Sequence, residues 1–367
     1  MVFSVHYLRG LAAVIVVCFH YRYYINDSFS NINLGDFLFS NGAYGVDLFF
    51  IISGFIICYS TRRPEKLPAL SFGLKRFFRI YPLLFASLIL FIIFFDLEGH
   101  SIIKSFVPLH ADYSEKGPTY GFHLLSPVWT LSYEIAFYLL FMVAIMVSQR
   151  YRKFIAAGAI VVLFVAFQLL LHGELNPSAY QKIDNSLAAF WQPALAIFSS
   201  PMVLEFILGI ALYLIYQAIP KLSEKAAQPL SWVALFAAAL SAIGLYLPTF
   251  YGHGPLNWGL PSFFLLLSLL VYEKQKGLPE IKPLVFLGNI SFSLYLMHMI
   301  VIKLLRKYEI APNLYGLVVF VLAFAASVGL ASISFTHIEQ SSARFCRGLI
   351  QKLHNSSVSP KSLFSLR

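Results

Sequence analysis

The chain has 367 residues, of which 59% are hydrophobic and 12% charged, and its mean hydropathy is +0.73. A soluble domain carries roughly twice that charged fraction, so a soluble globule is excluded and an integral membrane protein is expected. The formal net charge of +10 does not point to nucleic acid, because Lys and Arg fall in short segments between apolar runs, as the positive-inside rule requires.

Hydropathy predicts an all-α polytopic bundle of about ten transmembrane helices, at roughly 7–25, 44–60, 80–96, 127–148, 154–171, 196–217, 230–247, 258–272, 284–304 and 314–335. The first run lacks a charged leader and a small-residue cleavage site, and reads as a retained span rather than a signal peptide. With the N-terminus in the cytoplasm and the spans alternating, 20 of the 27 Lys and Arg fall on the inner side. That bias predicts both termini cytoplasmic. The cluster Lys303, Arg306 and Lys307 after span nine runs against the rule. The longest outer loop, 97–126, with Asp96 just before it, holds Glu98, His100, His110, Asp112, Glu115 and His123. It reads either as a cap over an external cavity or as a solvated loop. Residues 1–340 are expected to form one membrane domain and 341–367 a basic cytoplasmic tail, flexible from about 354. Cys18, Cys58 and Cys346 are too scattered for a disulfide framework or a zinc site. They read as small apolar fillers, and no metal is expected.

Two ionisable residues stand in the first span. Arg9 and His20 have ten residues between them and lie about 16 Å apart along a helix axis. Charged groups in lipid are penalised and usually face a bundle interior or a wet cavity. His20, Asp47, Glu134, Glu205 and His298 come from five different spans. Each falls about 5–10 Å from the outer end of its span by helical rise. Any one of them can be a buried group satisfied by a carbonyl. Five in one slab favour mutual pairing, and a carboxylate beside a His makes a general base. On the inner side, Lys75, Arg76 and Arg79 lead into Ile80-Tyr81-Pro82. Pro82 suits the first turn of a helix. Three cations before a helix start make either a phosphate site or a plain positive-inside anchor, and Arg9 lies on the same side.

These residues resemble the membrane acyltransferase-3 family of bacterial O-acyltransferases. The likeness is carried by Arg9-x10-His20, by Gly45-Val46-Asp47-Leu48-Phe49-Phe50-Ile51-Ile52-Ser53-Gly54-Phe55, and by Arg76-Phe77-Phe78-Arg79-Ile80-Tyr81-Pro82. Trp129-Thr130-Leu131-Ser132-Tyr133-Glu134, Glu205-Phe206-Ile207-Leu208-Gly209 and the segment Gly288–His298 follow in order. One departure is the end of the last span, which reads His337-Ile338-Glu339-Gln340-Ser341 where the family often has Tyr-x-x-Glu-x-Pro. Another is that no extracytoplasmic hydrolase-like domain is expected after the membrane part.

The resemblance implies transfer of an acyl group, acetyl by default, from cytoplasmic acetyl-CoA to a hydroxyl of a glycan or lipid-linked sugar, in the bacterial inner membrane and with no nucleic-acid partner. Arg9, Lys75, Arg76 and Arg79 would hold the CoA phosphates. His20, oriented by Asp47 or Glu134, would act as general base for direct attack on the thioester, with a covalent acyl-histidine as the second route. Ser53, Trp129, Glu205, Tyr295 and His298 would line the substrate channel. The bland alternatives are an interfacial belt position for Trp129 and close helix packing for Ser53-Gly54. A transporter or flippase for a lipid-linked sugar is the rival function. It has the same need for buried His and carboxylates but none for the basic inner cluster. A membrane scaffold would leave the slab of ionisable residues unexplained.

Overall fold

The computed structural model describes residues 1–26, 33–95, 102–107, 109–110, 112–183, 190–310 and 316–356. Among them there is no strand, and the core is built by α1 (Phe3–Tyr21), α2 (Tyr44–Ser60), α3 (Pro68–Phe94), α4 (Val128–Val147), α5 (Arg152–His172), α6 (Leu204–Ala218), α7 (Glu224–Gly244), α8 (Gly259–Lys276), α9 (Lys282–Lys307) and α10 (Gly316–Ser334). Nine helical segments among the described residues are long and apolar enough to cross a membrane. Only α8 falls short, because Glu273, Lys274 and Lys276 charge its last turns. The protein is an all-α, multi-pass membrane bundle.

Burial sorts the helices. In α9, 72% of the apolar window is buried, against 22% in α5 and α7, so α9 is central and the other two present apolar faces outward. Small residues bring the central helices together. A Cβ on Gly10 would stand 2.7 Å from the backbone nitrogen of Gly288, and a Cβ on Gly209 would stand 2.1 Å from the carbonyl of Ile51. The pairs α1–α9 and α2–α6 therefore meet backbone to backbone, as small residues allow in membrane bundles.

Polar contacts fix the helix ends. The Glu273 carboxylate accepts from the backbone N–H groups of Phe3 (2.7 Å) and Ser4 (2.8 Å), capping α1. Arg152 at the start of α5 donates to Thr61 at the end of α2, and Lys276 at the end of α8 pairs with Glu224 at the start of α7. The helices thus alternate in direction. One end of the bundle collects Arg9, Arg76, Arg79 and Arg152, and is called the basic end below.

Three elements depart from the expected boundaries. The third helix starts at Pro68, twelve residues before the predicted 80, so Pro82 is interior and Lys75, Arg76 and Arg79 ride on a helix face. The reading of these cations as lying ahead of a helix N-terminus is therefore corrected. Residues 68–79 already bury Ser71 and Phe72, which carries the helix beyond the apolar run. Lacking an N–H, Pro82 costs one backbone bond, which helices in a bundle tolerate. The sixth predicted span is broken. Residues Gln192–Ser199 form a short helix, Pro201–Val203 a 3₁₀ turn, and α6 starts only at Leu204. After α10, a π-helical turn (Phe335–Glu339) leads into the helix α11 (Gln340–Ser356), which packs along α3 through Phe345 against Phe78. The predicted tail is thus helical as far as Ser356. Residues 357–367, like Asp96, Glu98 and His100 of the long loop, lie outside the described residues.

Candidate active site

A cleft opens between α1, α2, α3, α4 and α9 and holds about 790 Å³ of atom-free space. Arg9, Arg76 and Arg79 line its basic end, and Ser53, Glu134, Tyr138, Thr130 and Tyr295 line it further in. Arg76 also belongs to an adjoining hollow of about 910 Å³ at the basic end, walled by Arg62, Arg63, Lys75, Arg150 and Arg152. Six cations therefore surround a hollow that leads, past one shared guanidinium, into the bundle.

The four residues assigned to phosphate differ in how far they are already neutralised. Arg79 is ion-paired with Glu339, which also accepts from Ser293. Lys75 pairs with Glu65 in a solvent-exposed contact. Arg9 donates to the Gly288 carbonyl, and its buried Nε has no acceptor. Arg76 lies over the rings of Phe72 and Tyr138 and donates to Ser60 at 3.3 Å, and its Nε is likewise without an acceptor. Arg9 and Arg76 thus hold orphaned N–H groups beside the cleft, and an oxyanion such as a phosphate fits that need.

Deeper in the cleft, Glu134 accepts from Ser53 at 3.0 Å and from the Tyr138 hydroxyl. Ser53 thus faces the cleft, while its neighbour Gly54 meets α6 so closely that a Cβ would stand 2.3 Å from the Phe206 carbonyl. Tyr295 is hydrogen-bonded to Thr130 at 3.1 Å and packs edge-on against Phe49. Ser53, Glu134, Tyr138, Thr130 and Tyr295 line the inner part of the cleft.

The five ionisable residues of the predicted slab do not form one cluster. His20 and His298 pair with each other, their ring centroids 5.1 Å apart. His298 is fully buried. Its Nδ1–H donates to the Leu294 carbonyl at 3.1 Å, which leaves Nε2 as a bare acceptor. His20 borders a side pocket of about 680 Å³ with Tyr23, Tyr24 and Arg306. Asp47 and Glu205 stand side by side, both with no exposed surface. Asp47 is turned away from His20. Its carboxylate accepts from His253 Nδ1 at 2.8 Å and from the Gly254 backbone N–H at 2.9 Å. Glu134 faces the cleft instead. Neither carboxylate has His20 among its hydrogen-bond partners.

His253 lies in a vestibule of about 1,290 Å³ at the end of the bundle opposite the basic hollow, with Tyr180, Tyr251 and Trp258. Trp129 packs 5.7 Å from the His253 ring, while the next residue, Thr130, lines the cleft. Vestibule and cleft are therefore separated by the width of α4 at Trp129–Thr130 and of α2 at Val46–Phe49. Sequence reasoning missed His253 and Glu339. His253 sits in a glycine-flanked loop without periodicity, and its partner is 206 residues away. For Glu339 a signal existed, because it is the acidic residue of the last-span motif.

Comparison with known proteins agrees with this architecture. The acyltransferase-3 family model, described as an acyltransferase domain, matches residues 2–335. Acyltransferase MdmB of Streptomyces mycarofaciens is 29% identical over 282 residues, covering 71% of this chain and 68% of that protein. Exopolysaccharide production protein ExoZ of Rhizobium meliloti is 25% identical, covering 75% and 81%. Peptidoglycan O-acetyltransferase OatA of Listeria monocytogenes is 23% identical, covering 92% of this chain and 55% of its own length. No solved structure gives a significant match. A helix bundle with a charged cleft, matched over nearly its whole length, identifies the chain as a member of the acyltransferase-3 family, a multi-pass membrane O-acyltransferase.

Proposed function

We propose that the enzyme moves an acyl group, acetyl by default, from acyl-CoA at the basic end to a hydroxyl of a glycan or lipid-linked sugar arriving from the other end. The basic end is the cytoplasmic face of a bacterial inner membrane, with both termini on that side. One observation carries the reading: Arg76 is shared between the basic hollow and the cleft, and its Nε has no acceptor. Phosphates held in the hollow leave the pantetheine arm to run inward, toward Ser53, Glu134 and Tyr295. The six cations around the basic hollow suit the phosphates of a CoA thioester. That ExoZ is named for exopolysaccharide production and OatA for peptidoglycan supports a glycan acceptor.

The chemistry needs a base. His20 takes the proton from the acceptor hydroxyl, the oxygen bonds to the thioester carbonyl carbon, and the C–S bond breaks. The departing CoA thiolate recovers the proton from the imidazolium. General-base help of this kind contributes about 10²–10⁴-fold. The support for His20 is its pairing with His298, whose neighbour along α9, Tyr295, lines the cleft. With purified protein, acetyl-CoA should yield free CoA only when acceptor is present, and His20→Ala should lose turnover by that factor. Near-normal turnover in His20→Ala would remove His20 from the mechanism. Release of no CoA by the wild type with any envelope glycan would remove the donor. Labelled acetyl-CoA alone should leave no acyl group on His20, as direct transfer requires.

A further inference from the structure

The far-end vestibule holds features that the donor reading does not use. Asp47 fixes the His253 ring through Nδ1–H, so Nε2 is the free lone pair, and among the described residues it has no hydrogen-bond partner. Trp258 lines the same vestibule and is 3% exposed, and its indole N–H has no acceptor among the described residues. The two rings stand edge to face with centroids 5.2 Å apart. A buried indole N–H left unpaired is costly, so its retention beside an empty acceptor asks for a ligand group that both accepts and donates. A hydroxyl does both.

The walls narrow the choice further. Tyr251 and Tyr180 supply exposed aromatic faces, and Tyr251 packs 5.1 Å from the buried Trp258 ring. The ionic residues in the lining are Lys116, Lys182 and Glu115. Flat aromatic surface with little net charge suits the C–H face of a pyranose ring, whereas a phosphate-bearing headgroup would call for a cluster of cations.

The geometry points to a sugar-ring subsite in this vestibule, in which Trp258 Nε1–H donates to, and His253 Nε2 accepts from, one hydroxyl of the acceptor. This rests on the proposed transfer reaction and adds to it where the acceptor is held. His253 and Trp258 are positioning residues, and Asp47 acts through His253. The rings bound here steer a neighbouring hydroxyl of the same glycan toward the end of the cleft, one helix width away.

The test uses purified protein, acetyl-labelled acetyl-CoA and neutral oligosaccharides released from the producing cell's own envelope, and follows both transfer and equilibrium binding of the oligosaccharides. Trp258→Phe keeps the ring and removes only the N–H. It should raise the acceptor KM roughly three- to tenfold, the effect of one hydrogen bond, with the KM for acetyl-CoA unchanged. His253→Ala should raise it further, and His253→Gln, which restores an acceptor atom, should recover part of the loss. The subsite is overturned if acceptor KM and binding are unchanged in both Trp258→Phe and His253→Ala, or if label enters lipid headgroups and not sugar. Oligosaccharide binding that weakens in Trp258→Phe while the wild type releases no CoA would leave the subsite standing and fell the donor reading instead.

Discussion

The two ends of this bundle are built from opposite materials. At one end, Arg62, Arg63, Lys75, Arg76, Arg150 and Arg152 ring a hollow, and the guanidinium nitrogens of Arg9 and Arg76 keep unmet hydrogen-bond capacity. At the other, Trp258, Tyr251, Tyr180 and His253 make a wall that carries shape and hydrogen bonds but little charge. The first suits a polyanion and the second a neutral polyol. Between them lie Glu134, Ser53 and Tyr295 on the cleft side, and Asp47 and Trp129 facing the vestibule. Under the proposed reaction, each end would receive one of the two substrates.

The sharpest way to break the contrast is at the shared guanidinium. Arg76→Ala should raise the acyl-CoA KM about 10- to 100-fold, the range of a charge-assisted hydrogen bond, and leave the acceptor KM alone. A change confined to the acceptor side, read from steady-state kinetics with each substrate varied in turn, would invert the assignment of the two ends. Next in size is the close contact between α2 and α6. Gly209→Ala puts a Cβ where α2 and α6 already touch, and overpacking of this kind costs about 1–3 kcal/mol. The thermal midpoint in detergent should fall, and an unchanged midpoint would mean that the helices can separate freely.

Acid should loosen the outer loop that carries His110 and His123. Burial holds His110 down to about 3, helped by the nearby charge of His123, and burial then Lys104 hold His123 down to about 4. Both rings are therefore neutral in the folded cap at pH 7. The unfolded chain takes up protons near 6.5, so the stability tied to the neutral rings is complete above that pH. It is lost as pH falls from 6.5 toward 4 and then 3. Hydrogen exchange of residues 112–126 should accelerate over that window while α3 stays protected, and His110→Phe should flatten the response. Uniform acceleration of both regions would refute a local origin. The smallest effect is expected at Lys75. Its exposed pair with Glu65 is worth little, and Lys75→Ala should shift the acyl-CoA KM by only about two- to fivefold.

Much of the fold could be read from hydropathy, because lipid demands long apolar helices. What hydropathy could not show were breaks and extensions that change no composition. The run 196–217 is apolar enough to read as one span, yet Ser200-Pro201 interrupts it. The segment 68–79 is polar enough to look like a loop, yet it is helical. The ionisable residues were legible as a set because charge is rare in a span. Their partners were not, since depth along a helix says nothing about the direction a side chain faces. Asp47 turns toward His253 and Glu134 toward Ser53, and His20 is left with His298. The Arg79–Glu339 pair joins residues 260 positions apart, a separation that spacing alone cannot bridge.

Sidedness tests the central claim most directly. In sealed vesicles with the protein in one orientation, labelled acetyl-CoA is supplied on one face and envelope oligosaccharides on the other. The account predicts labelled sugar only when acetyl-CoA meets the face bearing Arg76 and the oligosaccharides meet the face bearing Trp258. Equal labelling with both substrates confined to the Trp258 face would contradict it.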